Sequence, residues 1–420
     1  MGKKPMRLCI VTIVSGNYLA YAKVLSNSVK IHMPDADFSV LVVDRPSATI
    51  DLVAKQSGLH VTYATELEIP DIERIAYKYD IVELNTALKP TFIKRMFAEG
   101  YSHVIYLDPD IQVFAPLVPV LDAMNEASIT LIPHTLRPVL DGKRPSDVDF
   151  LQAGAFNLGF IALRDSEQTY DMLNWWESRC LGLGFNDLVF GTFVDQKWID
   201  LVPSYFDSVK ILRHIGCNVA YWNLHEREIN WLGSHYTVNG ESLVFFHFSG
   251  VKVDNPTELS KYQTRHKLST ETPLARLVAE YCQQLLDADH VTLSKLPYSF
   301  SVLDDGTLIT PVMRRALCCV SEHEKSPFAT SSPFQRRLLK LRITPHDKKP
   351  QGFENISKLN FDQTQLRVQV VNIMVRLCTK ILGINKFYML LRYAALLTSE
   401  SHYPAVLMKE PLRFEHLLKR

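Results

Sequence analysis

The 420-residue chain lacks the long uncharged apolar run that a membrane-crossing helix needs. Its best stretch, residues 377–397, carries Lys380, Asn385, Lys386 and Arg392, and placing those groups in hydrocarbon is costly. Charge of one sign is also missing: 46 Lys and Arg face 45 Asp and Glu. No global field draws the chain to nucleic acid, and partners must be read from local sites. No CxxC pair occurs among its seven cysteines, Cys9, Cys180, Cys217, Cys282, Cys318, Cys319 and Cys378. Odd in number and scattered, they suit buried thiols in a reducing cytoplasm better than a disulfide framework or a zinc site. Neither GxSxG nor HExxH is present, so hydrolase readings gain nothing. There is no internal repeat. The opening MGKKPMRLCIVTIVSG imitates a secretory leader, but its apolar run is short and β-rich and no small-residue cleavage site follows. A first strand is the better reading.

What is present is 47% hydrophobic, enough for a large core in two domains or in one domain with an appendage. Residues 8–14 read as a buried strand and 18–32 as a helix, with Leu19, Ala22, Leu25 and Val29 at helical spacing and Pro34 beyond its end. Strands are expected at 38–43 and 59–63, on either side of a helix at 51–57 closed by Gly58. A helix at 90–99, begun by Pro90 and stopped by Gly100, leads into a short strand at 103–107. Further strands are expected at 128–132, 156–163 and 243–248, and residues 135–149, rich in Pro, Gly and charge, read as a mobile loop. This alternation predicts an α/β fold, a mainly parallel sheet flanked by helices.

After Lys252 the pattern changes to a mostly helical extension. A helix is expected at 273–288, a turn at Asp304-Asp305-Gly306, and a Ser/Pro linker at 326–333 that runs into the basic Arg336, Arg337, Lys340 and Arg342. The expected division is 1–252, 253–335 and 336–420. Two helices are expected beyond Asp362, with Leu366, Val370, Ile373 and Leu377 in an apolar stripe that packs on the α/β domain. Arg367, Arg376, Lys380, Lys386 and Arg392 supply the alternative, a helix for a membrane surface or a partner.

The chemistry centres on Asp108-Pro109-Asp110, which falls where the strand at 103–107 ends. In open parallel sheets ligands gather at that edge. Two carboxylates so close at the end of an apolar strand are expensive unless a positive charge lies between them. Magnesium or manganese fills that place, since each takes oxygen ligands octahedrally and leaves positions for phosphate oxygens and water. An isolated pair would more often be a capped turn; its surroundings change the odds. Ser15, Gly16, Asn17 and Tyr18 lie at the first strand-to-helix turn, where backbone amides suit a nucleotide and an aromatic ring can stack on a base. His247 in VFFHFSG would alone be a core histidine, but with the two aspartates it becomes a credible cation ligand. Trp175, Trp176 and Trp222 read as packing residues, with an acceptor platform as the alternative. His225, Glu226 and Arg227 in WNLHER read equally as surface loop or acceptor contacts.

Taken in order, these segments resemble the GT-A-fold retaining glycosyltransferases related to glycogenin and the bacterial lipopolysaccharide galactosyltransferases. NYLAYAKVLSNSV resembles the nucleotide-binding start, implying that Tyr18 stacks on uracil and Asn17 touches the nucleoside. YLDPDIQVF resembles the metal motif and FFHFSGVK the His-x-x-Gly segment, implying that Asp108, Asp110 and His247 hold Mn2+ or Mg2+. AFNLGF and VDQKWID resemble the Asn-x-Gly strand and the Asp-Gln motif, implying that Asn157, Asp195 and Gln196 address the donor sugar. The same resemblance implies that Ile13, Ser15, Lys89, Gly159, Gly250 and Lys252 line the donor. Lys89 in TALKP reads otherwise as a surface lysine. Ser15 stands where the family commonly has an acidic residue, and HFSGVKVD places Lys252 one position early, without the usual Trp. Over more of its length, through ELNTALKP, FNLGFIALR, VDQKWIDLVP and NVAYWNLHER, the chain resembles bacterial surface-polysaccharide glycosyltransferases.

The resemblance implies transfer of a sugar, with retention, from a UDP-sugar to a glycan or lipid-linked acceptor. Nucleic acid is not an expected partner, and the expected location is cytoplasmic, with peripheral membrane contact through the C-terminal helices. The competing readings are a sugar-phosphate nucleotidyltransferase, which SGNYLAY disfavours for want of a Gly- and Lys/Arg-rich phosphate loop, and a degenerate nucleotide-sugar-binding protein.

Overall fold

A computed structural model of the chain describes residues 6–269, 271–320, 325–343, 366–397, 399 and 402–408. The described residues fall into two units, 6–186 with 191–300, and 187–190 with those from Ser301 onward. The first unit is built on a seven-stranded sheet. Its strands are β1 (Leu8–Val14), β2 (Asp37–Val42), β3 (His60–Tyr63), β4 (His103–Leu107), β6 (Ile129–Leu131), β7 (Phe160–Arg164) and β8 (Val209–Ile211). A separate two-stranded pair joins β5 (Ile111–Val113) to β9 (Phe245–His247). The sheet order is β8-β6-β7-β4-β1-β2-β3, all neighbours being parallel except those made by β7, which runs against both β4 and β6.

β1, LCIVTIV, is buried at every residue, as expected of a parallel strand covered on both faces. Leu8 and Ile10 pack in one cluster with Leu25 and Val29 of the Leu19–His32 helix. The intervening Cys9 faces the other way, its Sγ 3.8 Å from Met96 Sδ of the Lys89–Ala98 helix. The period-2 alternation thus feeds two helical layers.

Most expected elements form within a residue or two. Gly58 closes the Ala48–Ser57 helix at φ 62°, a left-handed cap that glycine adopts without strain. The strand expected at 156–163 begins only at Phe160. Before it, Asn157 N–H donates to Ile132 O and Asp108 N–H to Gly159 O, so residues 157–159 form a turn that stitches three strand ends together. The last residues of the expected loop at 135–149 are helical, in Asp147–Ala153, with Ser146 and Asp149 in a capping box. That loop is also tied down: Arg265 donates to Asp141 at 2.6 Å and to the carbonyls of Lys143 and Pro145. Beyond Lys252, residues to Phe300 belong to the first unit; Tyr281 of the Pro273–Asp287 helix stacks on Phe248 at 3.7 Å.

The second unit is helical, as expected, and the Asp304-Asp305-Gly306 turn forms with Gly306 at φ 82°. The last residue of the linker expected at 326–333, with Arg336, Arg337 and Lys340 after it, lies in the Pro333–Lys340 helix. The two helices expected beyond Asp362 form. In the helices Leu366–Leu382 and Ile384–Leu397, Val370, Ile373 and Leu377 are 49%, 62% and 55% exposed; the side chain of Leu366 lies outside the described residues.

Candidate functional site

Because β1, β2 and β4 are parallel, their carboxyl ends share one edge of the sheet, and the antiparallel β7 brings its amino end there too. Ser15 and Asp44 follow β1 and β2, Asp108 follows β4, and Asn157 precedes β7. The DPD turn closes with Ile111 N–H donating to Asp108 O at 3.0 Å. β5 then pairs with β9 in the register His247↔Ile111, which carries the imidazole beside the two carboxylates. His247 Nε2 lies 2.9 Å from Asp110 Oδ1 and 3.8 Å from Asp108 Oδ2.

Among the described residues these three form a cluster of metal-ligand chemistry, their ligand atoms all within 4.8 Å of one another. An octahedral cation with ligands at about 2.1 Å sets neighbouring donors roughly 3 Å apart and opposite donors roughly 4 Å apart. The observed separations suit such a cation, and two carboxylates with one imidazole suit manganese or magnesium. The expected ligand set is therefore brought together.

Asn157 decides how the imidazole is presented. Its Oδ1 accepts from Asn218 Nδ2 at 3.0 Å and lies 3.2 Å from His247 Nδ1, while its Nδ2 reaches His134 Nε2 at 3.5 Å. With the amide so oriented, His247 Nδ1–H donates to Asn157 Oδ1, which leaves Nε2 as the ring atom that faces the carboxylates. Asn157 is buried, and its amide holds the ring from behind. Trp222 closes over the opposite side, its ring 5.1 Å from that of His247 and edge-on.

Gly159 supplies the room. A Cβ there would stand 2.4 Å from His247 Cε1 and 2.9 Å from Asn157 Oδ1. Gly159→Ala is expected to cost about 1–3 kcal/mol of stability through overpacking and to lower Mn2+ affinity by roughly 10–100-fold by displacing an oriented ligand. Calorimetric titration of the folded variant with Mn2+ reads that loss; unchanged affinity would refute the role.

His247 also sets a pH dependence. Burial disfavours its charged form, but Asp110 and Asp108 outweigh burial and hold its pKa above the usual 6.5. The proton on Nε2 must leave before a cation binds there. Mn2+ affinity is therefore expected to rise about tenfold per pH unit below that pKa and to level off above it. Titrations across pH 5–9 check the slope.

Behind the carboxylates lies a buried network. Tyr106 donates its hydroxyl to Asp108 Oδ1 at 2.6 Å. Lys89 Nζ sits 4.1 Å from the centre of the Tyr106 ring, 2.6 Å from Asp195 Oδ2 and 2.6 Å from Leu158 O. Lys89 and Asp195 are each 1% exposed. The surface reading of Lys89 is corrected, because its charge is consumed by Asp195 and a carbonyl inside the fold. Burial raises the Asp195 carboxyl to about 6, with Lys89 opposing the rise. Gln196 braces the same region, accepting from Leu158 N–H at 2.9 Å and donating to Ala153 O at 3.0 Å. Trp176 is packing: its Nε1–H donates to Asp195 O at 3.0 Å. Trp175 packs against Tyr205 and Phe206.

At the other end, Tyr18 is 42% exposed and its ring stacks on Tyr21 at 4.6 Å. Partial burial, with Asp110, Tyr262 and Asp108 nearby, pushes its phenol up to about 12. Ser15 Oγ donates to Asn17 Oδ1 at 2.6 Å. Ile13 is buried within β1, leaving only its backbone to address a ligand. Gly250 sits at φ 76°, where a Cβ would meet Ser260 Oγ at 2.5 Å. Lys252 is exposed and 3.4 Å from Glu258. The surface reading of WNLHER fails for Glu226 and Arg227, whose side chains are 4% and 1% exposed, while His225 is half-buried.

Asp44, Tyr106, His134 and Asn218 escaped the sequence reading. Asp44 is buried at the end of β2 and accepts from Gly16 N–H at 2.8 Å and Ser299 N–H at 2.7 Å, pinning the turn before Tyr18. It carries the same signal as Asp108, an acid ending an apolar strand. Burial raises its pKa, and those two backbone donors oppose the rise.

No family model matches the chain. It is 25% identical over 255 residues to the uncharacterized protein YfnF of Bacillus subtilis (strain 168), covering 60% of this chain and 84% of that one. YfnD of the same strain is 24% identical over 245 residues, covering 57% and 76%. Among solved structures, the galactosyltransferase LgtC in complex with donor and acceptor sugar analogs aligns at 16% identity and TM-score 0.39, over 66% of this chain and 95% of that one. The glycosyltransferase GlyE of Streptococcus pneumoniae TIGR4 aligns at 13% identity and TM-score 0.39, over 71% and 67%.

Proposed function

We propose that this chain is a cation-dependent glycosyltransferase, taking a sugar from a nucleotide diphosphate sugar, of the uridine type, to a glycan or lipid-linked acceptor in surface-polysaccharide synthesis. The observation that carries this reading is the two-carboxylate, one-imidazole cluster at the carboxyl edge of the sheet, with the exposed ring of Tyr18 close by. Asp108, Asp110 and His247 would hold Mn2+ or Mg2+. That ion, when bound, offers positive charge to the departing diphosphate.

The protein's own groups do the positioning. Asn157 and Gly159 set the imidazole, Tyr106 fixes Asp108, and Tyr18 offers a face to the base. Asp195 and Gln196 are committed to Lys89 and to backbone groups, so neither is free to act as a strong base. This supports transfer with retention, the reading that asks no carboxylate to take the acceptor's proton. An anomeric NMR assay that found an inverted product would overturn it. Calorimetry with UDP, with and without Mn2+, tests the whole reading: binding that needs the cation supports it, and binding indifferent to the cation sinks it.

The C-terminal helices fit a peripheral attachment to the cytoplasmic membrane face. No described helix is long and apolar enough to cross a membrane. Residues 366–397 hold five cations, Arg367, Arg376, Lys380, Lys386 and Arg392, and no acid, while Ile373, Leu377, Ile381, Ile384 and Met389 are exposed. Apolar side chains with cations suit an anionic interface. The full chain is expected to sediment with anionic vesicles and not with neutral ones. At about 1 kcal/mol per cation near the surface, neutralising Arg376, Lys380 and Lys386 to Gln lowers partitioning roughly a hundredfold. Equal binding to neutral vesicles would defeat the attachment.

A further inference from the structure

We propose that a cleft of about 430 Å³ walled by Arg137, His225, Glu226, Arg227, Asn239 and His266 binds a neutral sugar unit of the acceptor, beyond the unit that reacts. The inference rests on the glycosyl-transfer reading above. None of these residues belongs to the cation cluster, so the cleft is a second site.

The wall chemistry narrows the ligand. Arg137 and Arg227 are matched by Glu226 and Glu228, so the charges cancel and neither a phosphate nor a cation finds a field to settle in. Leu224, Ile229 and Leu274 add an apolar patch. Donors and acceptors set around an apolar patch suit a pyranose, which offers hydroxyls at its rim and C–H groups on its face. The volume lies within the range of small-molecule clefts.

Several wall groups have capacity to spare. Glu226, with its side chain 4% exposed, accepts from Leu136 N–H through Oε1 at 2.8 Å, while its Oε2 has no partner. His225 Nδ1 and His266 Nε2 likewise have none. These atoms are closed to solvent and become available only if the wall groups shift, whereas Arg137, Glu228 and Asn239 are exposed and already open to a sugar hydroxyl. The wall is also firmly mounted, since Arg227 donates to Cys217 O at 2.8 Å and Asn239 bridges Glu226 O and Glu228 N–H at 2.9 and 2.7 Å. Such preorganisation limits the entropy lost on binding.

The cleft is coupled to the cation cluster by sequence. The WNLHER segment begins with Trp222, which packs on His247, and continues through the wall residues Leu224 to Arg227. A glycan lying along this segment would have one unit in the cleft and its growing end toward the donor.

The test uses the full chain on a glycan microarray, alongside calorimetry of UDP with Mn2+. Wild type is expected to bind a set of neutral oligosaccharides, and Arg137→Ala and Glu226→Gln to weaken that binding at least tenfold with UDP–Mn2+ binding kept. Arg137 is exposed, so its loss leaves the fold intact. Oligosaccharides bound equally by both variants, or none bound while UDP–Mn2+ binding is intact, would overturn the cleft's role. Absence of UDP–Mn2+ binding would instead remove the transfer reading, and this inference with it.

Discussion

Asp110→Ala is expected to abolish the Mn2+ dependence of UDP binding and to lower sugar transfer by about a thousandfold or more, the loss that some 4 kcal/mol of charge stabilisation implies. Asp110 is the nearer carboxylate, with Oδ1 2.9 Å from His247 Nε2, so its removal takes away one ligand and releases another. Folding should survive. The backbone bond from Phe248 N–H to Asp110 O that joins the turn to β9 does not involve the side chain, and the carboxylate is partly exposed. The informative comparison is Asp110→Asn, which keeps shape and one weak oxygen ligand but removes charge. A donor-hydrolysis assay in which Asp110→Ala kept its Mn2+-stimulated rate would end the cation proposal.

Lys89→Met is expected to lower the unfolding free energy by about 3–5 kcal/mol, the usual cost of leaving one member of a buried ion pair behind. Lys89 satisfies Asp195 and Leu158 O and lies over Tyr106, so one substitution strands three groups. The sign of the pH dependence follows from Asp195, held at about 6 in the fold against an ordinary 3.8. A carboxyl whose pKa is raised on folding contributes stability below its unfolded pKa and loses it as pH rises through the folded value. In wild type that window is roughly pH 4 to 6. Without Lys89 the folded pKa moves higher still and the window widens. Urea unfolding at pH 5 and pH 8 should therefore show the variant closer to wild type at pH 5, and Lys89→Met/Asp195→Leu should recover most of the loss. A deficit of equal size at both pH values would contradict this account.

The sheet was legible because its signals are local. The all-apolar β1, the β-branched β4 and the glycine stops at Gly58 and Gly100 act within a few residues. Asp108, Asp110 and His247 could be singled out, yet only the β5–β9 register explains why residues more than a hundred positions apart meet. Lys89 was misjudged because burial of a lysine depends on a partner that sequence spacing does not reveal, here Asp195. The hold of Asn157 on His247 was not legible, because Asn218 and His134 become its neighbours only in three dimensions. The apolar stripe at Val370 to Leu377 was legible as a helix face, because amphipathic pattern reports the face and not what covers it.

The close approach of His247 to Gly159 implies a constraint on how such chains can diverge. Positions 159 and 247 cannot drift independently, since the imidazole occupies the space that any side chain at 159 would claim. A lineage that gained a side chain at 159 would have to surrender the ring at 247, and a chain that lost the ring would be released to accept bulk opposite it. Paired variation at these two positions, with glycine tracking histidine, would be the hereditary trace of a site still in use.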